Sequence, residues 1–213
     1  HVMRGTPMIA RPPMGWRVPR EIASGSDFGG VVEAVGARVT RFHPGDSVFG
    51  ARTGAFAEFV TARESRVMHK PARITMAQAA AIPVAAITAL QGVRDQGRVR
   101  AGQRVLVNGA SGGVGTFAVQ IAKALGAEVT GVCSSRNVAM VTSLGADHII
   151  DYTKADFTQQ SDKYDVIIDN VGNHSLSALR GVLKPSGTYV MIGGPSGRWL
   201  DPMPRAAATV VRS

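Results

Sequence analysis

The sequence predicts an α/β protein, a doubly wound parallel sheet preceded by a group of short strands. Three observations carry that prediction. The runs VLVN (105–108), DVIID (165–169) and YVMIGG (189–194) are continuously apolar up to their ends. Parallel strands covered by helices on both faces read this way. Segments of helical period separate the runs, and a glycine-rich turn, Asn108–Gly115, joins one run to a helix. With 213 residues, 45% of them apolar, the chain can bury one large core or two small ones and is not disordered.

Residues 24–70 read as strands and turns. GGVVEAVG (29–36) predicts a strand ending in glycine, and HPGDSVFG (43–50) a Pro-Gly turn leading into a second. AFAEFVTA (55–62) alternates apolar and polar residues, the period of a half-buried strand, and VMHKP (67–71) closes the group. The boundary falls at 74/75, giving a β domain over 1–74 and an α/β domain over 75–213. Residues 76–94 are Ala-rich and helical, with Pro83 as a break or restart. Strands are then expected at 104–108, 128–133, 147–151, 165–169 and 187–192, and helices at 113–125, 137–144 and 175–183. Crossovers of this kind are right-handed as a rule. The final PMPRAAATVVRS reads as a helix start.

In the glycine turn, Ala110, Gly112 and Gly115 take the three positions of a GxGxxG pattern. The turn follows a strand, opens a helix and lies within a strand–helix–strand unit, as a dinucleotide-binding Rossmann domain requires. Ser111, Gly112, Gly113 and Val114 would then present a helix N-terminus to a pyrophosphate. The alternative is a glycine-rich turn without a ligand. An NAD site places an acid at the end of the second strand for the ribose hydroxyls. Here Cys133 stands there, followed by Ser134, Ser135 and Arg136. Two hydroxyls and a guanidinium suit the 2′-phosphate of NADPH, because arginine binds phosphate through paired charge-assisted hydrogen bonds. Arg136 as a solvated loop residue is the alternative. Cys133 reads as a packing residue.

The net charge is +9, but the basic residues are scattered and no aromatics interleave with them, so no nucleic-acid partner is expected. Arg4, Arg11, Arg17 and Arg20 all precede the first acid, Glu21, so part of the excess is local. One cysteine rules out a disulfide framework and a multi-thiolate metal site. No apolar run reaches the length of a membrane span, and no membrane partner is expected. His1, His43, His69, His148 and His174 have no ligand spacing. The first residues lack the apolar region of a signal peptide but also an initiator Met, so they carry no information on targeting; a cytoplasmic location is expected.

Together GSDFGGVVEAVG (25–36), RFHPGDSVFG (41–50), AAAIPVAAITALQGV (79–93), VLVNGASGGVG (105–115) and LGADHIIDY (144–152) resemble the medium-chain dehydrogenase/reductase superfamily. The resemblance is to its zinc-free, NADPH-dependent quinone oxidoreductase branch, which is zeta-crystallin-like; HVMRGTP (1–7) resembles the end of an early active-site segment there. It implies part of a GroES-like β domain on the substrate side and a Rossmann domain for the cofactor. It implies NADPH as cofactor, hydride transfer to a small electron acceptor (a quinone or an α,β-unsaturated carbonyl) and a homodimer. Thr88 matches a threonine at the nicotinamide end, and Tyr152 a tyrosine near the adenosine phosphate. Asn170 and Val171, with Gly172, and then Gly193 and Gly194, match strand-end turns at the ligand edge. Zinc-dependent relatives have Gly-His-Glu where this chain has Gly25-Ser26-Asp27, and a further cysteine ligand where it has Val84. The four-cysteine structural lobe is also missing, so no metal is expected, and no catalytic acid stands out. The family carries more chain at both ends, so the sequence corresponds to a truncated member. The competing expectation is a non-catalytic nucleotide-binding or structural fragment.

Overall fold

The computed structural model describes residues 24–194 and the backbone of Val210–Arg212. HVMRGTP, His1, the four early arginines and Glu21 lie outside the described residues. Two compact units divide between Ile87 and Thr88, within one helix.

The first unit is a three-stranded antiparallel sheet in the order β1 (Asp27–Val31), β2 (Ser47–Ala51), β3 (Val67–His69). The strand expected at 29–36 is shifted toward the N-terminus and stops at Val31. Beyond it Val32 N–H donates to Asp46 O and Val32 O accepts from Gly45 N–H, one last step of pairing with the turn before β2. The strand expected at 55–62 does not form. Among the described residues no strand pairs with it, and Phe56 and Phe59 are exposed. Alternation marks a face, but a strand also needs a ladder partner. Helix α1 (Met76–Ala80) begins with a capping box, in which the Thr75 hydroxyl accepts from Gln78 N–H and the Gln78 side chain accepts from Thr75 N–H. Pro83 opens α2 (Pro83–Leu90), the position where its missing N–H costs nothing, and a π-helical turn, Gln91–Gln96, follows.

The second unit is a six-stranded sheet in the order β6-β5-β4-β7-β8-β9. Its strands are β4 (Arg104–Asn108), β5 (Glu128–Cys133), β6 (His148–Asp151), β7 (Tyr164–Asp169), β8 (Leu183–Met191) and β9 (Val210–Arg212). The first five are parallel, and β9 pairs antiparallel with β8. The expected terminal helix start is corrected there: Val210, Val211 and Arg212 form an edge strand, as valines favour. Helices α3 (Gly113–Ala124), α4 (Val138–Ser143) and α5 (Leu176–Val182) supply the crossovers. β4 shows how both faces are used. Val105 and Val107 pack with Ala118, Val119 and Ala122 of α3, while Leu106 between them packs with Leu179, Tyr164 and Phe157. All three β4 residues are fully buried.

Candidate functional site

The strand order reverses between β4 and β7, and the carboxyl ends of those strands form the crevice where ligands bind in such sheets. At that point β4 runs out at Asn108 and the chain turns through Gly109, whose φ of 75° favours glycine. Ala110 N–H donates to Val132 O at 2.9 Å and ties the turn to β5. A Cβ on Gly115 would fall on the Gly109 carbonyl, so only glycine allows α3 to start so close to the strand. Gly112 is the N-cap and offers no side chain to the first helical N–H groups. Those donors, with the positive end of the helix dipole, suit a phosphate.

A buried polar cluster holds the crevice. Asn108 Nδ2 donates to Asp169 Oδ1 at 2.9 Å and to Asn173 Oδ1 at 3.0 Å. Tyr189 donates to Asp169 Oδ2 at 2.9 Å, and the N–H groups of Val171 and Gly172 donate to Asp169 Oδ1. The fully buried Asp169 is thus hydrogen-bonded on both oxygens, which a carboxylate inside a protein requires. These bonds fold the turn after β7 against the glycine turn, where Val171 Cγ2 lies 2.8 Å from the place a Gly109 Cβ would take. Asn170 Nδ2 donates to Asn108 O at 2.9 Å, while Asn170 Oδ1 is buried with no hydrogen-bond partner among the described residues. An orphaned buried acceptor at a ligand edge fits a group that donates to it. Gly193 packs so closely on this turn that a Cβ would meet the Asn170 carbonyl.

The end of β5 forms the other side. Asn137 Nδ2 donates to Ser111 Oγ at 3.1 Å and to Ser134 Oγ at 3.2 Å, clasping the glycine turn to the second strand. Ser135 and Arg136 are exposed in the short 3-10 turn that follows. Ser135 Oγ donates to Asp151 Oδ2 at the end of β6. Hydrogen bonds from Ser135 and then Thr153 hold the Asp151 carboxyl down at about 2. Burial, and secondarily the Asp151 charge, pushes the Cys133 thiol up, which makes it a packing residue rather than a nucleophile. Tyr152 is exposed, and its N–H bonds to Cys133 O at 3.1 Å. Thr88 is half-buried in α2 and, among the described residues, makes no hydrogen bond with the others. Ser111, Gly112, Gly113, Val114 and Ser134 therefore stand together, with Ser135, Arg136 and Tyr152 at one end and Asn170 and Val171 at the other. Sequence reasoning missed Asn137, Asp151 and Asp169. The acids at strand ends were the available signal.

In the first unit Asp27 accepts from Val84 N–H at 3.2 and 3.3 Å and caps α2. Burial pushes the Asp27 carboxyl up, and the Val84 bond opposes that. His43 pairs with Asp46, His148 with Glu128 and His174 with Asp156, and His69 stacks on Phe42. Among the described residues no three of His, Cys, Asp and Glu gather as a metal site, and no helix is long and apolar enough to cross a membrane.

Comparison with known proteins gives two family matches: an alcohol dehydrogenase GroES-like domain over residues 1–72 and a zinc-binding dehydrogenase domain over residues 113–208. The chain is 42% identical over 184 residues to the mitochondrial NAD(P)H oxidoreductase RTN4IP1 of Mus musculus, covering 80% of this chain and 46% of that protein. It is 35% identical to a chloroplast envelope quinone oxidoreductase homolog of Arabidopsis thaliana, covering 82% of this chain and 57% of the relative. Among solved structures it is similar to CurK enoyl reductase, with a TM-score of 0.78 and 28% identity over 88% of this chain and 58% of that one. The chain spans about half the length of the curated relatives it matches.

Proposed function

This chain belongs to the medium-chain dehydrogenase/reductase superfamily and has quinone oxidoreductase homologues, and from that premise we propose that it binds NADPH and reduces a quinone or an α,β-unsaturated carbonyl without zinc. The observation that carries the reading is the open N-terminus of α3 at the switch point, clasped to Ser134 through Asn137. The described residues fit a nicotinamide dinucleotide. Ser111, Gly112, Gly113 and Val114 would hold the pyrophosphate, and Ser134, Ser135, Arg136 and Tyr152 the adenosine end. Asn170, Val171 and Thr88 would face the nicotinamide end, where Asn170 Oδ1 can accept from a ribose hydroxyl or an amide.

The bound nicotinamide would supply the hydride. The protein supplies position: the Asp169 cluster fixes the turn after β7, and the glycine turn lets the backbone approach the phosphates. Zinc independence is supported by Ser26 and Val84 at the expected ligand positions and by Asp27 being engaged with the Val84 N–H. A homodimer is part of the same reading. A cytoplasmic location has no support from the relatives, two of which are named mitochondrial or chloroplastic.

Titration with NADPH, followed by thermal unfolding, tests the binding step. Ligand at 100 times its Kd adds about 2.7 kcal/mol to the folded state. NADPH oxidation in the presence of a simple quinone tests the reaction. A second reading is a nucleotide-binding or structural unit without turnover. Stabilisation by NADPH without quinone-dependent oxidation selects it, and no stabilisation by NADPH or by NADH removes the cofactor reading altogether.

A further inference from the structure

The acid expected at the end of β5 is absent, but one stands a single strand away. Cys133 and Asp151 are register partners on neighbouring parallel strands, about 4.8 Å apart in the pairing direction. Asp151 is organised rather than loose. It accepts the Ser135 hydroxyl, the Thr153 hydroxyl at 2.7 Å and the Thr153 N–H at 3.0 Å, with Lys154 Nζ at 3.6 Å. Ser135 Oγ also lies 3.2 Å from Thr153 Oγ1. Those two hydroxyls own two protons, and the two bonds to the Asp151 carboxylate, which can only accept, use both. Ser135 Oγ therefore turns only lone pairs outward.

That arrangement opposes a 2′-phosphate in two ways. An ionised phosphate carries acceptors and no donors, so it finds no proton on Ser135. Its negative charge also faces the Asp151 carboxylate. A ribose 2′-hydroxyl, in contrast, can donate to Ser135 or to Asp151. Ser134 and Arg136, with the exposed Lys154 ammonium beside Asp151, are left as the groups that favour phosphate. We propose that Asp151 is a specificity-determining residue of the cofactor site, which through Ser135 holds down the preference for NADPH and keeps NADH as a usable second cofactor. The inference rests on the reading that Ser134, Ser135 and Arg136 face the adenosine ribose.

The test is calorimetric titration of the full chain with NADPH and with NADH, in wild type, Asp151→Asn and Asp151→Ser. The amide introduced by Asp151→Asn can donate to Ser135 Oγ and release the serine proton, and both variants remove the charge. The expected result is an increase of about tenfold in the ratio Kd(NADH)/Kd(NADPH), mostly through tighter NADPH. With Ser135→Ala in place, Asp151→Asn should raise the ratio by less, because no hydroxyl is left to release. The serine variant carries the test if the asparagine variant does not fold. A ratio within twofold of wild type in a folded variant that still binds nucleotide overturns the role of Asp151 and leaves the proposed function standing. Failure of the wild type to bind either nucleotide overturns both.

Discussion

The two units handle their apolar residues differently. In the α/β unit the strand residues alternate between two helix-covered faces and both faces are closed: Val105, Leu106 and Val107 are 0% exposed. In the β unit Phe42, Val48 and Phe49 are buried, yet Phe56 and Phe59 are 73% and 75% exposed and Met68 is 60% exposed. A sheet covered on both faces takes the residues of its central strands inside, so there the apolar run and the strand coincide. Among the described residues the three-stranded antiparallel sheet leaves a face and an edge uncovered, and apolar character there no longer reports position.

Removing side-chain volume is the strongest way to break that contrast. Leu106→Ala should cost about 2–5 kcal/mol, because the site is closed by Leu179, Tyr164 and Phe157 and cannot collapse freely. Phe59→Ala, a larger truncation in the β unit, should change stability by no more than about 0.5 kcal/mol. Urea denaturation of both variants checks the pair, and equal losses would remove the distinction. Adding volume is expected to have the next largest effect. Gly115→Ala puts a methyl group on the Gly109 carbonyl and should cost about 1–3 kcal/mol while abolishing stabilisation by nucleotide. Gly36→Ala, at a place with open space around it, should leave both unchanged.

The same contrast explains what could be read in advance. β4 and β5 fall on the expected residues, 104–108 and 128–133, because a strand inside a doubly covered sheet has little freedom over where its apolar run ends. β8 begins earlier than expected, at Leu183, because Leu183 already pairs with Tyr164; the register then shifts before Val166 pairs with Thr188. In the β unit the errors are larger. Among the described residues the 55–62 segment has strand periodicity but no strand pairs with it, only Ala55 and Phe56 bonding to Gly25 and Ser24, and the 29–36 strand lies toward the N-terminus, at Asp27–Val31. The glycine turn was legible because its chemistry is local: strand, turn and helix are consecutive. Asp151 and Asn137 were not, because their roles depend on which strands become neighbours. Asp151 matters through its pairing register with Cys133, and Asn137 through a bond to Ser111, 26 residues away. Asp169 was visible only as the acid ending an apolar run, and its donors come from three separate segments.

The smallest effect is expected at Asp27, where burial and capping pull in opposite directions. Its carboxyl is pushed up, by burial above all, so the charged form is less favourable folded than unfolded despite the Val84 hydrogen bonds. A raised carboxyl contributes stability that is complete in acid and is lost as pH rises through the folded-state value. At pH 7 the charge is therefore a net burden, while the side-chain oxygen still caps α2. Asp27→Asn keeps an oxygen for the Val84 N–H and discards the charge, so it should match or exceed the wild type at pH 7, with the gain fading toward pH 3. Asp27→Ala discards both and should fall below Asp27→Asn by about 1 kcal/mol, the usual worth of an N-cap. Thermal unfolding of the three proteins at both pH values distinguishes the contributions. If Asp27→Asn were the less stable at pH 7, the favourable interaction of the charge with the N-terminus of α2 would outweigh its burial, and this corner of the β unit would owe its stability to electrostatics.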